Sequence, residues 1–179
     1  MKKIFLLLFL VFYSPASSSE EPDISWTGNL LTVSVSGAIT HGDKMRFIFR
    51  ENECNTIHQS FSIYTYSKNS NFKQLENKVI SMTLNGEPFK ATVIFARPFL
   101  MGTSVWFNVG SYKFKNFVLK LKKVSKYEIT IINSKDFISE NYFDIPTNSW
   151  DLTNIDQVLY SARQLCIKRS KSSYPPKIV

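Results

Sequence analysis

Two histidines, two cysteines and a lysine-rich ribbon are the residues of this 179-residue chain best suited to chemistry. His41 and His58 are the only side chains whose ordinary pKa suits proton transfer near neutrality. Neither has an evident team: His58 falls on the polar phase of an alternating segment, and His41 opens the turn His41-Gly42-Asp43. Solvent-exposed or structural roles are expected for both. The spacing Cys54-x-x-x-His58 supplies only two of the three or four ligands that zinc requires. Carboxylates cluster at Glu51 and Glu53, and at Asp136, Glu140 and Asp144, on polar turns where such charges are ordinarily solvated. The chain contains no Gly-x-Ser-x-Gly elbow, phosphate-cradling glycine loop, His-Glu-x-x-His or EF-hand loop. The pattern speaks against an enzyme, leaves an unfamiliar hydrolase as the catalytic alternative, and calls for no metal or cofactor.

The ribbon is the feature expected to make contacts. Lys113, Lys115, Lys120, Lys122, Lys123 and Lys126 are interleaved with Tyr112, Phe114, Phe117 and Tyr127. Such a surface suits an acidic protein, an anionic lipid surface or an acidic polysaccharide. The plainer alternative is an edge strand whose lysines block edge-to-edge aggregation. The same mixture would suit single-stranded nucleic acid, but the address signals below argue for export and against that partner. The high aromatic content admits a third reading, a carrier holding an apolar or lipid-like ligand inside a barrel.

The elements that must position these residues begin with an address. Lys2 and Lys3 precede an unbroken apolar run over residues 4–13, followed by small residues at 14–19. This is the pattern of a secretory signal peptide spanning residues 1–19. Ten helical residues rise only about 15 Å, half of a roughly 30 Å hydrocarbon core, so no transmembrane anchor is expected after cleavage. An exported, periplasmic or extracellular and bacterial protein is the expectation; no Asn-x-Ser/Thr glycosylation acceptor occurs. In an oxidising compartment two cysteines allow one pairing, Cys54 with Cys166.

The net charge of +8 overstates the cationic character of the body. Lys2 and Lys3 leave with the leader, and Lys168, Arg169, Lys171 and Lys177 lie at the far end, so the basic pI is weak evidence for nucleic acid. One domain over 20–168 is expected, followed by a flexible basic tail over 169–179.

Alternation predicts strands at 30–36, 44–50, 57–66, 79–84, 89–96, 104–109, 112–123 with a phase slip near Asn116, and 127–132. Asn85-Gly86 predicts a β-hairpin, with Pro88 weighing against the tightest form. Arg97-Pro98 is expected to break its strand. Residues 67–78 and 133–148 read as loops, with a short extended piece at 142–145. A helix is predicted over 151–168, with Ile155, Val158, Leu159, Ala162, Leu165 and Cys166 on one stripe and Asp151 or Thr153 as N-cap. The expected class is mainly β, a β-rich α+β domain: an antiparallel β-sandwich or partly open barrel of about seven to eight strands with one C-terminal amphipathic helix.

Overall fold

The structure, a computed structural model, describes residues 21–40, 42–66 and 71–172. The stretch expected to be a leader, His41, residues 67–70 and the last part of the expected tail lie outside them. All the strands form one antiparallel sheet: β1 (Asp23–Thr27), β2 (Leu30–Ser36), β3 (Lys44–Arg50), β4 (Thr56–Thr65), β5 (Val79–Leu84), β6 (Glu87–Phe99), β7 (Gly102–Lys113), β8 (Lys126–Ile131) and β9 (Thr147–Asp151). The spatial order is β1-β2-β3-β4-β7-β6-β5-β8-β9. The sheet curls until Gly37 bridges Trp150, and Ala38 N donates to Ser149 O at 2.8 Å. The result is a partly open barrel rather than a two-sheet sandwich.

Alternation explains which side is filled. Leu31, Val33 and Val35 of β2, and Met45, Phe47 and Phe49 of β3, point into the curl and are buried. Two helices complete that core: α1 (Phe114–Leu121) and α2 (Ile155–Ser172). Phe117 meets Phe47 at 5.8 Å between ring centroids, and Phe114 meets Phe49 at 6.0 Å. Trp150, Phe61, Phe107 and Phe143 are buried in the same interior.

Several expectations are corrected. Residues 112–123 are not one strand but the end of β7 and then α1. Phe114, Phe117, Val118 and Leu121 are buried at offsets 0, 3, 4 and 7, a helical stripe that the alternating lysines mask. β6 runs through Arg97-Pro98 to Phe99, and the Asn85-Gly86 turn stays tight despite Pro88. Both prolines sit one pair beyond the closing pair of a two-residue turn, Thr83↔Pro88 and Pro98↔Thr103. That position is a non-hydrogen-bonded pair, where the missing N–H would face away from the partner strand. β1 and β9 lie outside the predicted strands, β9 where the 133–148 loop is expected to lead into the helix, and 142–145 is not a strand. Phe72–Leu75 forms a short 3-10 turn that buries Phe72 and Leu75.

The disulfide Cys54–Cys166 is present, with Cα atoms 5.8 Å apart. It fastens α2 across β2 and β3. The helix starts later than expected, because Asp151 closes β9 and its Oδ1 accepts from Thr153 N at 2.8 Å. Thr153 and Asp156 form no capping box: Asp156 lies 3.9 Å from Lys122 Nζ. The helix also continues past Lys168. Arg169 lies 3.5 Å from Glu51, donates to Gly28 O at 3.0 Å and stacks on Trp26 at 4.1 Å, so the start of the expected tail is held to the body. The buried stripe is Ile155, Leu159, Ala162 and Cys166, whereas Leu165, expected inside, is 45 % exposed. No helix among the described residues is long and apolar enough to cross a membrane.

Candidate binding site on the outer face

The face of the sheet opposite the helices carries an arginine–aromatic groove. Strand register assembles it from four neighbouring strands. Lys44 pairs with Ser62, Arg46 with Ser60, Ser62 with Trp106, Trp106 with Phe95, and Arg97 with Ser104. A bulge between Val93 and Phe95 shifts the phase of β6, which sets Phe95 beside Trp106 on the outer face. Gly42 and Ser104 leave space between the larger rings of Tyr64, Phe95, Phe99 and Trp106, so the groove is a consequence of side-chain size. It encloses about 560 Å³.

Phe95 stacks on Trp106 with centroids 5.0 Å apart. The Arg46 guanidinium lies 3.7 Å from the other ring partner, Trp106, and that of Arg97 lies 4.5 Å from Phe95. Arg46 Nη1 donates to Ser62 Oγ at 3.0 Å and to Lys44 O at 3.3 Å. Burial pushes the Arg46 pKa down to about 10, which still leaves it charged at neutral pH. Among the described residues no carboxylate forms an ion pair with Arg46, Arg97 or Lys44. The half-buried guanidinium thus lies on an indole face, makes two hydrogen bonds and keeps N–H donors beyond those two, with no carboxylate paired to it among the described residues.

The nearby acids are engaged elsewhere. Asp43 is buried beneath β4, where its carboxylate accepts from Tyr64 N at 2.5 Å and from the Asn148 side-chain amide. Burial outweighs those two donors and raises its pKa to about 7. Asp144 Oδ1 accepts from Thr65 Oγ1 at 2.8 Å, and Glu76 Oε1 accepts from Ala96 N at 3.3 Å.

A second cleft of about 530 Å³ shares Phe95 and Trp106 with the first and extends to His58, Ser60 and Ser111. His58 Nδ1 and Ser111 Oγ are hydrogen-bonded at 2.7 Å, and Nε2 lies 3.8 Å from Glu53 Oε2. Ser60 Oγ is buried with no hydrogen-bond partner among the described residues. His58 therefore has a hydroxyl neighbour that its sequence context did not reveal, because Ser111 arrives from β7.

The other sequence candidates are dispersed. Glu140 is held by Asn133 and Ser139, and a hydrogen bond from its own backbone N–H followed by those two keeps its carboxyl below the usual range. Asp136 is exposed in its own loop. No group of three or more metal-ligating side chains forms among the described residues. Lys113, Lys115, Lys120, Lys122, Lys123 and Lys126 are all exposed, on and around α1. Their aromatic neighbours Phe114, Phe117 and Tyr127 are buried and Tyr112 is half-buried, while the exposed ring of Tyr160 on α2 lies 5.9 Å from Lys122 Nζ. A second mixed basic and aromatic surface lies on the outer face, at Arg46, Arg97, Phe95 and Trp106. The chain matches no protein-family model, no curated protein and no solved structure.

Proposed function

We propose that this is an exported binding protein whose outer-face groove takes an anionic ligand with a flat or apolar body. Arg46 and Arg97 meet the charge, and the Phe95–Trp106 stack meets the body. The observation that carries the reading is Arg46: a cation half withdrawn from water, with no carboxylate to balance it among the described residues. Export is supported by the buried disulfide, which persists in an oxidising compartment.

The direct test uses a dye pair differing mainly in charge, 1-anilinonaphthalene-8-sulfonate and neutral N-phenyl-1-naphthylamine. Arg46→Ala should weaken the anionic dye about tenfold or more, the loss expected for one charge-assisted contact, and leave the neutral dye unchanged. Equal binding of the anionic dye by wild type and Arg46→Ala refutes the assignment.

One contact favours a second reading, a serine hydrolase built on Ser111 and His58. Glu53 is exposed and too distant to orient the imidazole by a hydrogen bond. Fluorophosphonate labelling decides: a non-catalytic Ser111 stays unmodified, and a covalent adduct on it establishes the enzyme.

A further inference from the structure

The two most exposed apolar side chains among the described residues, Met101 and Leu100, lie at one end of the half-barrel. Strand register places the β2–β3 loop, the end of β4 and the β6–β7 turn together there, since Ser36 pairs with Lys44, Lys44 with Ser62, Thr65 with Thr103 and Phe99 with Gly102. At the turn, Leu100 is 85 % exposed, Met101 88 % and Phe99 53 %, with Tyr66 and Ile39 exposed on the neighbouring segments. A contiguous apolar tip of this kind marks an interaction surface rather than ordinary surface scatter.

The turn residues sharpen the point. The β5–β6 hairpin of the same sheet turns on Asn85-Gly86, both at positive φ, which these residue types tolerate. The β6–β7 hairpin places Leu100 at φ +51°, a conformation that opposes an L-leucine. Its side chain makes no compensating core contact, being almost fully in water. Folding therefore gains nothing from leucine here that asparagine or glycine would not supply better.

Immediately inward along the outer face come Arg97, Lys44 and Arg46, none of them ion-paired among the described residues. The acids closest to this end, Asp43, Asp144 and Glu76, are tied to Tyr64 and Asn148, to Thr65, and to Ala96. We propose that this end docks on an anionic phospholipid bilayer. Phe99, Leu100 and Met101 enter the interfacial layer, and the arginines behind them receive lipid phosphate. Apolar anchors with cations set behind them match the layering of a bilayer surface, with hydrocarbon innermost and phosphate outside it. This deepens the groove reading and rests on it: the anionic ligand becomes a headgroup presented by a membrane. The lysines around α1 lie at the opposite end, since Lys113 pairs with Thr56 at the far end of β4.

The test is co-sedimentation with phosphatidylcholine vesicles with and without phosphatidylglycerol. It is run beside binding of monomeric dihexanoyl-phosphatidylglycerol in solution. Wild type should bind the anionic vesicles, and the double variant Leu100→Asn, Met101→Ser should lose about tenfold or more of that affinity. Because asparagine accepts positive φ, the variant's melting temperature should equal or exceed that of wild type, and Met101→Ser alone, which leaves the groove lining intact, should still bind the short-chain lipid. Vesicle binding unchanged in the double variant overturns the docking surface. So does short-chain binding by wild type without vesicle binding, a result that leaves the groove reading standing. Failure of wild type to bind the short-chain lipid or either vesicle removes both.

Discussion

Replacing both cysteines, Cys54→Ala with Cys166→Ala, asks how much of the fold depends on fastening α2. The bridge spans a sequence separation of 112, and for a loop of that size the chain-entropy relation gives about 5 kcal/mol at room temperature. Several contacts survive the substitution. Ile155, Leu159 and Ala162 stay buried, Arg163 donates to Asn55 Oδ1 at 2.6 Å, Asn52 N donates to Ser170 Oγ at 2.9 Å, and Arg169 keeps Glu51, Gly28 and Trp26. These contacts hold α2 on the folded protein but do not restrict the unfolded chain, so they do not replace the entropic contribution. The expected loss is about 3–5 kcal/mol, a large share of the roughly 5–15 kcal/mol that stabilises a typical domain. Guanidinium unfolding should show a lower midpoint, with a steeper slope if the unlinked chain exposes more surface. Amide exchange should accelerate first over residues 163–172, where side-chain anchors replace core burial. A loss below about 1 kcal/mol would refute the reasoning that closing this loop stabilises the fold by restricting the unfolded chain.

Two further predictions follow from buried groups near the groove. Asp43 is protonated more readily when folded than when unfolded, its pKa rising from 3.8 to about 7, so ionisation opposes folding. Its share of stability is complete below about pH 4 and is lost as pH rises through about 7, by up to about 4 kcal/mol. Urea unfolding across that window should show the decline in wild type and not in Asp43→Asn; a wild-type slope that persists in the variant assigns the effect elsewhere. Gly102→Ala places a Cβ against the Thr65 carbonyl oxygen and 2.7 Å from the Tyr64 ring, so a loss of about 1–3 kcal/mol is expected by calorimetry. An unchanged melting temperature would show that the β4–β7 contact relaxes freely.

What the sequence makes legible is what depends on neighbouring residues. β2, β3 and β5 follow two-residue alternation because one face is buried and the other open, and the two cysteines admit a single pairing. Residues 114–121 defeat the same logic. Lysines alternate only at its two ends, at 113 and 115 and at 120 and 122, across a 0, 3, 4, 7 apolar stripe, and burial against Phe47 and Phe49 decides for helix. β9 escapes notice because Asn148 and Ser149 are polar yet buried, with Asn148 bound to Asp43 far away in sequence. The groove was out of reach for a related reason. Arg46 and Trp106 each occupy an outward phase on their own strands, but only β4 between β3 and β7 brings them into contact, and only the bulge at Val93/Phe95 adds the second ring.

The α2 clamp also has a consequence for the order of events during synthesis. The strands it covers, β2 and β3, are made before the helix that caps them, with six other strands in between. Phe47 and Phe49 meet Phe117 and Phe114 of α1 on the way, but the part of β2 and β3 that lies beneath α2 stays uncovered until Cys166 and its helix have been made. Such a design ties completion of the fold to the arrival of its final segment. A nascent chain stalled short of Cys166 should be sticky and protease-sensitive, whatever the quality of the strands already paired.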